Sequence, residues 1–262
     1  MSRTLTIVGA LIRASLQTGM QYRSDFLIQG LAGLFRTGAI VLPALLVFHH
    51  RDAVMGWTLS DTTLVMGLFL VMSAVLSGVV EPNLGEVVEG IRSGAFDLWL
   101  LKPTDAQLLA SLRRVQPEQS WTLLGGGVLI GWALMQRGSV PGGLDVVMAC
   151  WMMLCGIASL YGLWLLAICL SFFFVRVDNL RFLLWSVMDA GRWPLPMFAP
   201  WVQWLLTVAV PVGVLTTYPA LALRGEWDAS VVGTATAVAL GFVLGSRLAW
   251  NRSIRSYTSA SS

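Results

Sequence analysis

The chain has 262 residues, 56% of them hydrophobic and only 12% charged, with a mean hydropathy of +0.73. A soluble chain carries roughly 25% charged residues, so this density cannot cover a water-facing surface and a soluble globular fold is excluded. The formal charge of +3 and isoelectric point near 9.0 mark a membrane orientation in so apolar a chain, and membrane lipids, not nucleic acid, are the expected surroundings.

Residues 1–25 are interrupted by Arg3, Arg13 and Arg23, while Leu5, Val8, Ile12 and Leu16 recur at helical spacing. That pattern predicts an amphipathic helix lying on the membrane surface. Neither a continuous apolar h-region nor a small-residue cleavage site precedes Asp25, so no cleaved signal peptide is expected. Six apolar stretches follow, over roughly 26–48, 62–80, 121–135, 146–175, 182–193 and 230–250, each read as a span of about 20 residues. The third is short and carries Gly125, Gly126 and Gly127, small residues that let helices approach closely. The fold expected is all-α and integral to the membrane, one transmembrane domain over 1–262 with an interfacial helix and six transmembrane helices.

With the N-terminus inside, cytoplasmic segments receive Arg3, Arg13, Arg23, Arg92, Lys102, Arg113, Arg114, Arg176, Arg181, Arg247, Arg252 and Arg255. Outer segments receive only Arg51, Arg137 and Arg224, and Arg36 and Arg192 fall within spans. This imbalance predicts that both termini are cytoplasmic, which requires an even number of spans.

Residues 81–120 form the one long cytoplasmic connection. Within it, 85–93 can form a short helix with Val87, Val88 and Ile91 on one side, stopped by Gly94. Residues 193–228 form an outer connection that holds Pro194, Pro196, Pro200, Pro211 and Pro219 yet stays apolar. Short re-entrant helices reconcile the broken backbone with the need to stay near the bilayer.

Catalytic chemistry is missing from the pattern. Lys102 is the only lysine and follows no glycine-rich phosphate loop. His49 and His50 are adjacent and so do not face together on a helix; Cys150, Cys155 and Cys169 sit in one apolar run without metal-ligand spacing. No catalytic, cofactor-binding or metal residues are assigned. Arg36 in the first span and Asp189 and Arg192 in the fifth are charges inside the apolar segments. They are candidates for a translocation path, against the alternative that they neutralise one another or snorkel.

The segment 91–103, IRSGAFDLWLLKP, is similar to a motif of the ABC-2-type permeases, the six-span membrane subunits of bacterial ATP-binding-cassette exporters. The proline-rich outer region and the tail from Trp250 onward resemble the same family, in the branch described as ABC-2 family transporter proteins. The resemblance implies that the loop helix docks on a separate cytoplasmic ABC ATPase through Glu86, Val87, Glu89, Ile91, Arg92 and Phe96. ATP and Mg would be bound by that partner, with no cofactor in this chain. It also implies a second permease subunit, identical or related, in the bacterial inner membrane, and export of a substrate that the residues do not name. Rival readings are a membrane scaffold or assembly protein and an ATPase-independent secondary transporter, although no repeat relates the two halves.

Overall fold

The computed structural model describes residues 9, 13, 23–101, 105–111, 114–138, 140–170 and 178–256. The interfacial helix expected over 1–25 therefore lies almost wholly outside the described residues. Helix α1, Arg23–Phe48, leads to a small hairpin, β1 Ala53–Val54 against β2 Trp57–Thr58. Met55 and Gly56 make its two-residue turn with φ of 50° and 78°, the geometry that matches strand twist. Thr58 and Asp61 then close a capping box that starts the next helix.

That helix, α2, runs without interruption over Leu59–Ser93, 35 residues or about 52 Å. The separate loop helix expected over 85–93 is instead its continuation. Pro82 within it reads as a break, because proline lacks an N–H and crowds the preceding turn. The structure absorbs the ring by widening Leu76–Val80 into a π-helical turn. The carbonyl of Gly78, four residues before Pro82, accepts from the Gln116 amide at 2.8 Å. Gly94, at φ 76°, ends the helix, and the Phe96 amide donates to the Gly90 carbonyl at 2.9 Å, folding the chain back.

Two short helices, α3 Asp97–Leu100 and α4 Ala106–Ser111, precede α5 Ser120–Arg137 and α6 Gly143–Cys169. After α7 Asp178–Met188, the chain makes 3-10 turns at Asp189–Arg192 and Leu195–Met197. Helices α8 Pro200–Val208 and α9 Tyr218–Arg224 follow, and α10 Ala229–Arg255 closes the fold. Pro219 in α9 is preceded by a second π turn, Gly213–Thr217, buried throughout, so the two prolines are accommodated in the same way.

Four of the described helices are long and apolar enough to cross a membrane: Ile28–Phe48, Leu59–Ser93, Gly143–Cys169 and Ala229–Arg255. The third and fifth expected spans are not in that set. They correspond to α5, 18 residues, and α7, 11 residues. At about 1.5 Å per residue the described α7 covers only about 16 Å of a hydrocarbon core of about 30 Å, whereas α5, at about 27 Å, is long enough but diluted by its glycines and by Gln136 and Arg137 at its end.

Helix α2 packs along α5, and α6 along α10, with α1 against α5 and α2. Both long contacts are backbone-close. A Cβ on Gly67 would stand 2.9 Å from the Gly126 carbonyl, and one on Gly126 would stand 2.8 Å from that of Gly67. A Cβ on Gly162 would stand 2.7 Å from the Phe242 carbonyl. Gly125 receives the Thr37 side chain, whereas Gly127 faces open space. The prediction is that Gly67→Val or Gly126→Val destabilises the bundle by about 1–3 kcal/mol, read as a lowered melting midpoint in detergent, with Gly127→Val leaving it unchanged.

Candidate functional site

The end of the bundle opposite the hairpin is built around the second half of α2, Glu81–Ser93. Asn83, 1% exposed, ties it to the returning chain. Its Nδ2 donates to the carbonyls of Val79 and Arg114, both at 2.6 Å, and its Oδ1 accepts from the Arg114 amide at 2.7 Å. A buried side-chain amide with donors and acceptor used across the joint fixes two backbones at once. The Trp185 indole donates to Glu81 at 3.4 Å and packs edge-on against Trp164, with ring centroids 5.9 Å apart.

Leu84, Val87 and Phe96 are fully buried in one cluster with Trp250 of α10 and Trp164 of α6. Phe96 meets Trp250 edge-on at 6.2 Å. Of the six residues expected to touch an ATPase, Val87 and Phe96 thus face the protein's own core. Ile91 is half-buried against the same cluster. Glu86 is half-buried, while Glu89 and Arg92 are exposed. The reason is geometric: the continuous helix lies on α6, so its apolar edge is already covered. Glu81, Glu86 and Glu89 line a groove of about 450 Å³ with Arg114, whose guanidinium is 3.4 Å from Glu86. Lys102 and Pro103 of the motif lie outside the described residues.

Helix α4 is strapped to α10 and α6. Arg247 pairs with Asp105 at 2.6 Å and also donates to Gln107. The Tyr161 hydroxyl accepts from Gln107 at 3.0 Å and lies 2.7 Å from the Ser111 hydroxyl. The Arg247 guanidinium, outweighing partial burial, holds the Asp105 carboxyl below its usual 3.8.

The three charges read as path candidates separate into two kinds. Arg192 donates to Asp189 at 2.6 Å and lies 5.5 Å over the Phe69 ring, with its Nε buried and without a hydrogen-bond partner. Arg36 is exposed on α1 and pairs with no carboxylate among the described residues. An arginine at the centre of a span costs on the order of 3 kcal/mol on insertion scales. The structure does not bring Arg36 and Asp189 into contact.

A further charged cluster at the hairpin end was not legible as a unit. Asp61, 5% exposed, stands 3.6 Å from Arg137 of α5 and 3.7 Å from Arg224 of α9. Arg224 lies 4.3 Å over the Trp57 ring and pairs with Glu226 at 2.8 Å. Three helix ends are thereby joined. The only local signal was the Thr58-x-x-Asp61 cap; no spacing links Asp61 to residues 76 and 163 positions away. His49 and His50 sit edge to face past the end of α1, their ring centroids 5.1 Å apart. No group of three His, Cys, Asp or Glu side chains converges on a metal-sized site among the described residues.

Replacing Asn83 by Leu leaves the Arg114 amide and carbonyl unmet, a cost of about 1–3 kcal/mol. Trypsin is expected to cleave after Arg114 faster in Asn83→Leu, with helix content unchanged. The strap on α4 follows pH with a definite sign. A carboxyl whose folded pKa is lowered stabilises fully above the usual carboxylate range and loses that contribution as pH falls through the lowered value. Acid-active protease cleavage within 105–111 should therefore rise only below the usual carboxylate range, and Asp105→Asn should abolish that dependence.

No curated protein and no solved structure matches this chain. The sequence profile of the ABC-2 family transporter proteins matches residues 34–261 of the 262. That stretch takes in the whole of α2 and the proline-bearing helices, and the chain belongs to the ABC-2 family of transporter proteins.

Proposed function

We propose that this chain is one membrane half of an ATP-driven exporter in the bacterial inner membrane, crossing it six times with both termini cytoplasmic. Family membership supports a permease role; the continuity of α2 over Leu59–Ser93 is the observation that carries the mechanism. Its first half is buried among the other helices, and its second half lies on α6 with Glu89 and Arg92 exposed. A push on the exposed edge of the second half reaches the first through a continuous helix.

In this reading a separate cytoplasmic ABC ATPase binds ATP and Mg and engages Glu86, Glu89, Ile91 and Arg92. Val87 and Phe96 act one layer deeper, holding the lever in place. Two permease chains, identical or related, pair so that closure of two ATPase subunits switches access from one side to the other. The joint at Leu76–Val80 is where the lever can bend, because a π turn and a proline follow each other there. Asn83 and the Gln116 amide limit that bend. The chain supplies no catalytic residue to ATP hydrolysis.

The test is affinity purification in mild detergent followed by an ATPase assay. A co-purifying ATPase is expected, and its loss from Glu89→Arg or Arg92→Glu with normal membrane insertion locates the contact. Both side chains are exposed, so these changes leave the core intact. A preparation free of ATPase, from membranes that also express the neighbouring genes, refutes the reading.

A further inference from the structure

We propose that the bundle holds a zwitterionic phospholipid, with one acyl chain seated in a cavity between α2, α6 and α10 and the headgroup at α4. The cavity measures about 770 Å³, within the range of about 300–1,000 Å³ that small-molecule sites span. Val75, Val79 and Val80 of α2, Leu154 and Ile157 of α6 and Val243 of α10 form its apolar wall. Tyr161, Arg247 and the α4 segment with Asp105, Gln107 and Ser111 form its polar end. The site requires neither an ATPase nor a direction of transport.

Depth in the membrane sorts these side chains. The Trp227 indole, just before α10, donates to Asp145 in the first turn of α6 at 2.8 Å, so the two helices start at one level. Tyr161 is eighteen positions past Gly143, where α6 begins, and Arg247 is eighteen past Ala229, where α10 begins. At 1.5 Å per residue both lie about 27 Å along their helices, near the far edge of a hydrocarbon core of about 30 Å. Leu154 and Ile157 precede Tyr161, and Val243 lies one turn before Arg247. The apolar wall is therefore inside the core and the polar end at its boundary, the order of a phospholipid in one leaflet.

The mouth decides where the occupant comes from. Leu154 and Val243 line the cavity yet are exposed, and Leu240 and Leu244 carry the exposed apolar surface on along α10. On membrane-spanning helices such a surface meets lipid tails, so the cavity opens to hydrocarbon. A void lined by apolar atoms forfeits dispersion contacts along its wall, and an acyl chain at the mouth restores them. Helix α4 closes the other end through Arg247, 2.6 Å from Asp105, and through the Gln107, Tyr161 and Ser111 hydrogen bonds.

Charge selects the headgroup. Arg247 and Asp105 are half-exposed and give the polar end no net charge. A headgroup of one sign is attracted by one of them and repelled by the other, whereas the phosphate and ammonium of a zwitterion each find an opposite charge. Val79 and Val80 belong to the π turn, so the seated chain lies against the joint of α2.

The experiment uses the full-length protein, delipidated in mild detergent and titrated with dioleoyl phosphatidylethanolamine or dioleoyl phosphatidylglycerol. Bound lipid is counted by native mass spectrometry. Phosphatidylethanolamine is expected to bind at one site roughly tenfold tighter than at any further one. At that site it should exceed phosphatidylglycerol by roughly three- to fivefold, the scale of one half-exposed ion pair, and raise the melting midpoint by about 2–4 °C. Val243→Trp fills the cavity from an exposed position and should abolish both the tight site and the shift. Leu248→Trp, also exposed on α10 but outside the cavity, should keep both. Asp105→Asn leaves the polar end positive and should turn the preference toward phosphatidylglycerol, whereas Arg247→Gln should deepen the preference for phosphatidylethanolamine.

Graded binding without a tight first site in the wild-type protein overturns the proposal before any variant is made. So does a tight site that survives Val243→Trp. Equal binding of the two lipids by the wild type, or an order of preference unchanged in both charge variants, overturns the zwitterion. If a second permease chain fills the groove instead, Val243→Trp dissociates a dimer and leaves lipid binding as it was, which overturns the lipid site as well.

Discussion

A proline inside a helix leaves one carbonyl without its donor, and the lower half of this protein follows from how that carbonyl is met. At Pro82 the deprived group is the Gly78 carbonyl, and the Gln116 amide reaches it from the returning chain. Asn83, one residue on, binds both strands of the same joint. The loop between α2 and α5 is thereby pinned to the helix it leaves. Because that helix does not end at the proline, its second half can lie on α6 and bury Leu84, Val87 and Phe96 against Trp164 and Trp250. Without the π turn the ring would clash with the preceding turn, the helix would stop near Val80, and the aromatic cluster would have no partner face.

The chain handles charge at its two ends differently from its middle. At the hairpin end Asp61 is held between two arginines, one of which also covers Trp57 and pairs with Glu226. Such a cluster costs desolvation, which is recovered only when each group finds several partners, and three helix ends supply them. At the other end Arg247 and Asp105 form a half-exposed pair, worth little as stability but well placed to hold α4 in register. Arg36 belongs to neither pattern. It is exposed on α1 and pairs with no carboxylate among the described residues.

Much of the architecture could be read from residues alone. Charge density excluded a soluble fold, the apolar stretches located three of the four long helices to within about six residues but stopped thirteen residues short of the end of α2 at Ser93, and triple glycine pointed to close packing on α5. What could not be read were relations between distant segments. Pro82 carries a strong local signal to break, and nothing local announces that residues 116 and 83 will compensate. Asp61, Arg137 and Arg224 are far apart in sequence, so the basic residues looked like loop charges. Val87 and Phe96 were assigned to a partner by the resemblance to ABC-2-type permeases, on a loop helix with an apolar edge. The cover is this chain's own α6 and α10, visible only once α2 is known to be continuous.

A π turn has one more effect, on angle. Each residue of an α-helix advances the side-chain direction by about 100°, and a π turn fits an extra residue into a turn without a matching advance along the axis. Directions beyond Leu76–Val80 are therefore shifted in phase relative to those before it. Gly67 meets α5, whereas Leu84 and Val87 lie in the cluster with Trp164 of α6. The two halves of one rod thus answer to different neighbours, α5 before the π turn and α6 after it.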